Sequence, residues 1–127
     1  MHAYILKESD SELRVAASPE STKKMVEMGL SVSVQTTAGD KSNFSDESYA
    51  ASGAEIFENT TEIANADIVI KVNKPTNEEI SSMKDGALFI GALDPYNSNE
   101  TISNLKEKGV TSFAMELMPR ITRAQSM

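Results

Sequence analysis

Asp67-Ile68-Val69-Ile70-Lys71-Val72, closed by Pro75, is the stretch on which the fold turns. Three consecutive β-branched apolar residues suit a strand buried on both faces, and such strands occupy the middle of parallel sheets. Pro75 has no N–H to give a neighbouring strand, so the ladder ends before it. On either side the same kind of run recurs. Upstream lie Ala3-Tyr4-Ile5-Leu6, Leu30 to Gln35 in apolar–polar alternation, and Ala54-Glu55-Ile56-Phe57; downstream lie Ala87-Leu88-Phe89-Ile90 and Val110 to Met115. Polar, helix-compatible segments of about a dozen residues separate these runs, the pattern of strands joined by crossover helices.

Helix boundaries carry their own signals. Ser18 is placed to cap a helix whose first position is Pro19, with Gly29 closing it and Met25, Val26 and Met28 on its inward side. Asn43 to Ser52 holds a short helix capped by Ser45, with Asp46 and Glu47 in the first turn and Gly53 as its stop. Thr61 to Asn65 reads as a helical turn, Asn77 to Lys84 as a helix, and Ser98 to Lys108 as a helix closed by Gly109. Glu116 to Arg120 forms a turn, after which Ile121 to Met127 starts a helix with no end, an ending that predicts a further segment. The expectation is a single α/β domain with a mostly parallel sheet flanked by helices on both faces, Rossmann-like or flavodoxin-like.

Composition narrows the function. The 127 residues fit one domain, and twelve Lys and Arg against nineteen Asp and Glu leave a net charge of -7. That charge repels phosphate backbones and anionic lipid, so nucleic acid is not an expected partner. The absence of cysteine removes disulfides, thiolate metal sites and a Cys nucleophile. With one histidine and no calcium-loop spacing, no metal site is expected. No run reaches the ~20 apolar residues needed to span a bilayer, so no membrane insertion is expected and the cytoplasm is the default compartment. His2 opens the first strand and reads as structural or exposed, and the seven methionines read as core filler.

Three blocks together resemble a known family. The first is Lys7-Glu8 with Glu12-Leu13-Arg14-Val15-Ala16-Ala17-Ser18-Pro19-Glu20, where Leu6 replaces the Pro that usually precedes the Lys-Glu pair. The second comprises Gly39, Phe44-Ser45-Asp46, Tyr49, Ala51-Ser52-Gly53-Ala54, then Ala66 to Val72 and Pro75. The third runs from Ala114 to Met127 and contains Pro119-Arg120-Ile121-Thr122-Arg123-Ala124-Gln125-Ser126. These resemble the N-terminal domain shared by alanine dehydrogenases and the alpha subunits of NAD(P) transhydrogenases, and the third block looks like the transhydrogenase branch.

The resemblance implies an enzyme passing hydride between NAD(H) and NADP(H), coupled to proton translocation. It also implies a dimer, peripheral on the cytoplasmic side of the membrane. This domain's partners would be the remainder of the alpha subunit, an NADP(H)-binding domain and a membrane domain. A loop carrying Arg120 and Gln125, with Ser126 beside them, would face the nicotinamide of NAD(H); Arg123 has a weaker claim. Read without the block, Arg120 caps a strand-to-helix turn and Gln125 is an exposed helix residue. Arg14 and Lys71 match positions that hold the substrate carboxylate and keto oxygen in alanine dehydrogenases, a possible anion site; in isolation each reads as a solvated strand-end charge. Asp94 stands where the alanine dehydrogenase branch has a catalytic His, and a carboxylate is no substitute for an imidazole donor to a keto acid. In the family a Rossmann-type domain follows and carries the glycine-rich pyrophosphate loop. None of the six glycines here forms a G-x-G-x-x-G run, so NAD(H) is expected to bind the full enzyme and not this chain alone.

Two other readings stay open. One is the N-terminal domain of an alanine dehydrogenase-like amino-acid dehydrogenase. The other is a stand-alone α/β binding module, although the acidic pair and strand-end Asp of phospho-receiver domains are missing.

Overall fold

A computed structural model describes residues 1–9, 11–92 and 99–114. The chain order is β1 (His2–Ile5), α1 (Pro19–Glu27), β2 (Ser31–Gln35), α2 (Asp46–Ala51), β3 (Glu55–Phe57), β4 (Ile68–Ile70), α3 (Asn77–Ser82), β5 (Leu88–Gly91), α4 (Asn99–Glu107) and β6 (Thr111–Ala114). Short 3-10 segments lie at Asp40–Ser42 and Thr60–Asn65. Every expected strand is present: β1 and β5 keep the expected length with bounds shifted by one residue, and the other four are one to three residues shorter.

The strands form one six-stranded sheet in the order β3-β2-β1-β4-β5-β6, and every pair is parallel. "Mostly parallel" thus becomes all parallel, and of the two expected topologies the order is that of the Rossmann fold. Alternate residues of each strand feed opposite faces. On one face Tyr4, Leu6, Val69 and Phe89 pack with Ile80 of α3 and Leu105 of α4. On the other, Ile5, Val32 and Val34 pack with Tyr49 of α2 and with Met25 and Val26 of α1. Helices therefore cover both sides, which is why Val32, Ser33 and Val34 are buried in succession although the sequence alternates.

The local signals act as expected. Ser18 Oγ accepts from the Ser21 N–H and Ser45 Oγ from the Ser48 N–H, each filling a donor left orphaned in a first helical turn. Met28 departs from expectation: it is the C-cap of α1, past the last inward position, and is exposed while Thr22 points into the core. The second helix starts at Asp46 rather than Asn43, because Asn43 sits in the left-handed region (φ 66°) and ends the preceding 3-10 turn. His2 is structural, with Nε2 2.8 Å from Ser33 Oγ and its ring 4.7 Å from that of Tyr4.

Candidate functional site at the carboxyl ends of β1 and β4

Winding outward from β1 and from β4 proceeds in opposite directions, so the loops leaving these two strands diverge toward opposite faces. Such a switch point opens a crevice outside the carboxyl ends of the strands, where open α/β sheets bind ligands. At this end of the sheet lie the residues following Ile5 and Ile70, and beside them a cavity lined on one side by Lys7, Glu8 and Glu12 and on the other by Thr37, Ala38 and Asp40.

In a dinucleotide-binding sheet, β1 turns sharply through glycines into a helix whose N–H groups hold the pyrophosphate. In this chain α1 begins only at Pro19, and the first glycine is Gly29. A glycine-free loop from Leu6 to Ser18 takes the place of the turn. It is pinned from three sides. The Lys7 N–H donates to Gln35 Oε1 at 2.9 Å, Ser42 Oγ donates to the Leu13 carbonyl at 2.6 Å, and the Tyr49 hydroxyl donates to the Ala17 carbonyl at 2.6 Å. The second dinucleotide feature, an acidic side chain at the end of β2 for the ribose, is also replaced: β2 ends on Gln35, whose amide oxygen is occupied by Lys7.

A fourth tie is Glu8. Its carboxylate accepts from the Val72 N–H at 2.7 Å and from the Asn73 N–H at 3.1 Å, joining the loop after β1 to the loop after β4 across the switch point. Glu8 is buried, and desolvation pushes its carboxyl above the usual range. The two backbone hydrogen bonds and the charge of Lys71 pull it back only in part.

From Asn73 the network runs on. Asn73 Nδ2 donates to Glu12 Oε1 at 2.8 Å, and Glu12 in turn grips Arg14, with Nε to Oε2 at 2.8 Å and Nη2 to Oε1 at 3.0 Å. This two-point fork is the geometry in which Arg and carboxylate fit best. The hydrogen bonds from Arg14, then the one from Asn73, hold the Glu12 carboxyl down to about 2. The Arg14 side chain is 72% exposed, so its outward edge meets solvent.

Lys71 behaves differently. It is 4% exposed, with Nζ 2.9 Å from Glu79 Oε1 and 3.4 Å from the Lys74 carbonyl. Expectation of a solvated strand-end charge fails here, because α3 brings a carboxylate over the end of β4. Glu79 is held by a capping box: its Oε1 accepts from the Thr76 N–H at 2.8 Å, and its own N–H donates to Thr76 Oγ1 at 3.1 Å. Arg14 and Lys71 thus stand at the same end of the sheet: the Lys71 charge lowers the Glu8 carboxyl, and the Glu8 charge adds a small upward push on Arg14.

Sequence reasoning singled out Arg14 and Lys71 but passed over Glu8, Glu12, Asn73 and Glu79 as chemistry. Thr76-x-x-Glu79 was a legible capping-box signature; nothing short-range marks Glu8 or Asn73. Arg120, Gln125, Ser126, Arg123 and Asp94 lie outside the described residues. Among the described residues, no cluster of His, Asp or Glu is arranged to hold a metal ion, and no helix is long and apolar enough to cross a membrane.

The comparisons with known proteins agree with this frame. Residues 4–127 match the family model for the alanine dehydrogenase/PNT N-terminal domain. The chain is 37% identical over 118 residues to the NAD(P) transhydrogenase subunit alpha of Haemophilus influenzae, covering 93% of this chain and 23% of that protein. Among solved structures, the transhydrogenase from Sinorhizobium meliloti superposes with a TM-score of 0.92 at 45% identity, covering all of this chain and 38% of that one. An L-alanine dehydrogenase superposes with a TM-score of 0.84 at 30% identity, over 90% of this chain and 32% of that one. The chain therefore spans between about a quarter and two-fifths of these relatives. From its sequence, its sheet order and these likenesses, the chain belongs to the alanine dehydrogenase/PNT N-terminal domain family.

Proposed function

We propose that this chain is the N-terminal part of the NAD(H)-side subunit of a proton-translocating NAD(P) transhydrogenase, where it forms one wall of the NAD(H) cleft. The observation that carries the reading is the switch-point crevice: the sheet has the Rossmann order, yet both features that hold a dinucleotide are replaced. The residues present do not fit a pyrophosphate, since β1 runs into a glycine-free loop and the helix N-terminus comes only at Pro19. Pyrophosphate and ribose then belong to another domain, and this one faces the nicotinamide end of the cofactor. The protein orients; the cofactor supplies the hydride chemistry. Likeness to the Haemophilus and Sinorhizobium proteins supports the transhydrogenase branch.

In this reading Arg120 and Gln125, with Ser126 beside them, align the nicotinamide carboxamide. The partners are the remainder of the alpha subunit, the NADP(H)-binding domain and the membrane domain, in a dimeric enzyme on the cytoplasmic face of the membrane. The test is Arg120→Ala in the whole enzyme. Loss of alignment should slow hydride transfer on the order of a hundredfold, with NADH affinity little changed. Equal losses in rate and affinity would sink the assignment.

A second reading, an alanine dehydrogenase-like enzyme, draws on the placement of Arg14 and Lys71 at one edge around Glu8. Pyruvate- and ammonia-dependent NADH oxidation by the whole enzyme would favour it over the first.

A further inference from the structure

The Arg14 side chain is 72% exposed, and an exposed arginine ordinarily samples many rotamers. Here three successive contacts restrain it. Glu12 grips its Nε–Nη2 edge at 2.8 and 3.0 Å; Asn73 Nδ2 holds the Oε1 of that same carboxylate at 2.8 Å; and the Asn73 backbone is itself held by Glu8 at 3.1 Å. Glu12 and Arg14 lie on one side of the crevice and Asn73 on the other. The Arg14 N–H also donates to Glu12 Oε2 at 3.0 Å, and Ser42 Oγ holds the Leu13 carbonyl between them at 2.6 Å, so the backbone of this pair is fixed while the direction of its two side chains is not. The Asn73 side chain ties that unit to the loop after β4.

We propose that Asn73 is a positioning residue for Arg14: its side-chain amide orients the Glu12 carboxylate, so that the loop after β4 sets the aim of the guanidinium across the crevice. An aimed guanidinium presents its remaining N–H donors to an oxygen of a ligand in the crevice without first losing rotamer freedom. The ligand chemistry it suits is an uncharged carboxamide or keto oxygen, or a carboxylate. The importance of that aim rests on the reading of this edge as the cofactor-facing wall. The positioning itself does not.

The experiment uses the 127-residue chain without ligand. Nitrogen-15 spectra follow the Arg14 Nε–H signal and its exchange with water, alongside the backbone amides of Val72 and Asn73. In Asn73→Asp, which keeps the shape but places a carboxylate against Glu12, and in Asn73→Ala, exchange of the Arg14 Nε–H should speed up by about tenfold, the scale of losing one charge-assisted hydrogen bond. The Val72 and position-73 amides should stay protected, because Glu8 still holds them. Unchanged Arg14 exchange in Asn73→Asp would overturn the proposal. Loss of protection at both amides together with Arg14 would also overturn it, by making Asn73 a structural residue of the loop. Should Asn73→Ala fail to fold, Asn73→Asp alone decides. No NADH is present, so failure of the transhydrogenase reading and failure of this inference remain distinguishable.

Discussion

The carboxylate of Glu8, just past the end of β1, accepts a 2.7 Å hydrogen bond from the backbone N–H of Val72, just past the end of β4, and so ties the two central strands together where their loops part. Glu8→Ala removes this bond and the one from Asn73, orphaning two donors at about 1–3 kcal/mol each when they stay buried. Urea denaturation should show a loss of that order. Because burial raises the Glu8 carboxyl above 4.5, the folded state binds its proton more readily than the unfolded chain does. Stability from this group is therefore fully present below 4.5 and declines as pH rises through the raised value. Both Glu8→Gln and Glu8→Ala should lack that decline; if the parent and both variants share one pH profile, the buried-carboxylate account is wrong.

Lys71 and Glu79 form a buried pair, with side chains 5% and 11% exposed. Lys71→Met leaves the Glu79 charge without its partner and should cost about 3–5 kcal/mol. The double variant Lys71→Met/Glu79→Gln removes both charges and should recover most of the loss. Thermal unfolding of the three proteins gives the coupling, and strictly additive losses would show that the pair does not act as a unit.

Tyr49 is fully buried, and its hydroxyl is the only side-chain tie from α2 to the loop before α1 among the described hydrogen bonds. Tyr49→Phe keeps the ring but frees the Ala17 carbonyl, for an expected loss of about 0.5–1.5 kcal/mol, with faster amide exchange near Ala17. Burial, with a smaller contribution from Asp46, pushes the phenol up to about 12, whereas the ordinary value is 10.0. The unfolded chain thus releases this proton first. Stability should fall as pH rises from 10.0 towards about 12, and an absorbance titration should show one tyrosine ionising late.

Gly91 closes β5 against β4. A Cβ there would lie 2.6 Å from the Lys71 carbonyl oxygen and 2.8 Å from the Phe89 ring. Gly91→Ala should therefore destabilise by about 1–3 kcal/mol through overpacking, and unchanged chemical denaturation would show that β5 yields easily.

The chain alone should show no useful affinity for NADH. What it offers the cofactor is a few side-chain hydrogen bonds at about 0.5–1.5 kcal/mol each, against an association cost of ~4 kcal/mol or more. Titration of NADH fluorescence tests this, and saturable micromolar binding would mean that the dinucleotide is held in a way the switch-point crevice does not suggest.

How much was legible follows from the range of the forces involved. Ser18, Ser45 and the closing glycines act on N–H and carbonyl groups within four residues of themselves, so their roles could be read from neighbours in the chain. The apolar runs at Ile68-Val69-Ile70 and Leu88-Phe89-Ile90 announced strands for the same local reason. Family membership was also readable, because the blocks from Lys7 to Met127 are chain-local patterns, and the fold class followed from their alternation. The Rossmann order was not: placing β1 between β2 and β4 depends on contacts between segments far apart in sequence, and alternation alone fits several orders. The crevice network was hidden for that reason too. Glu8 meets Val72, and Asn73 meets Glu12, only after the sheet has brought residues some sixty positions apart to one edge. Lys71 reads as a charge bound for water until α3 folds over β4 and sets Glu79 against it. Sequence by itself determined the elements and the family; burial of charge, and the partner each charge finds, were decided only when the tertiary structure excluded water from the ends of β1 and β4.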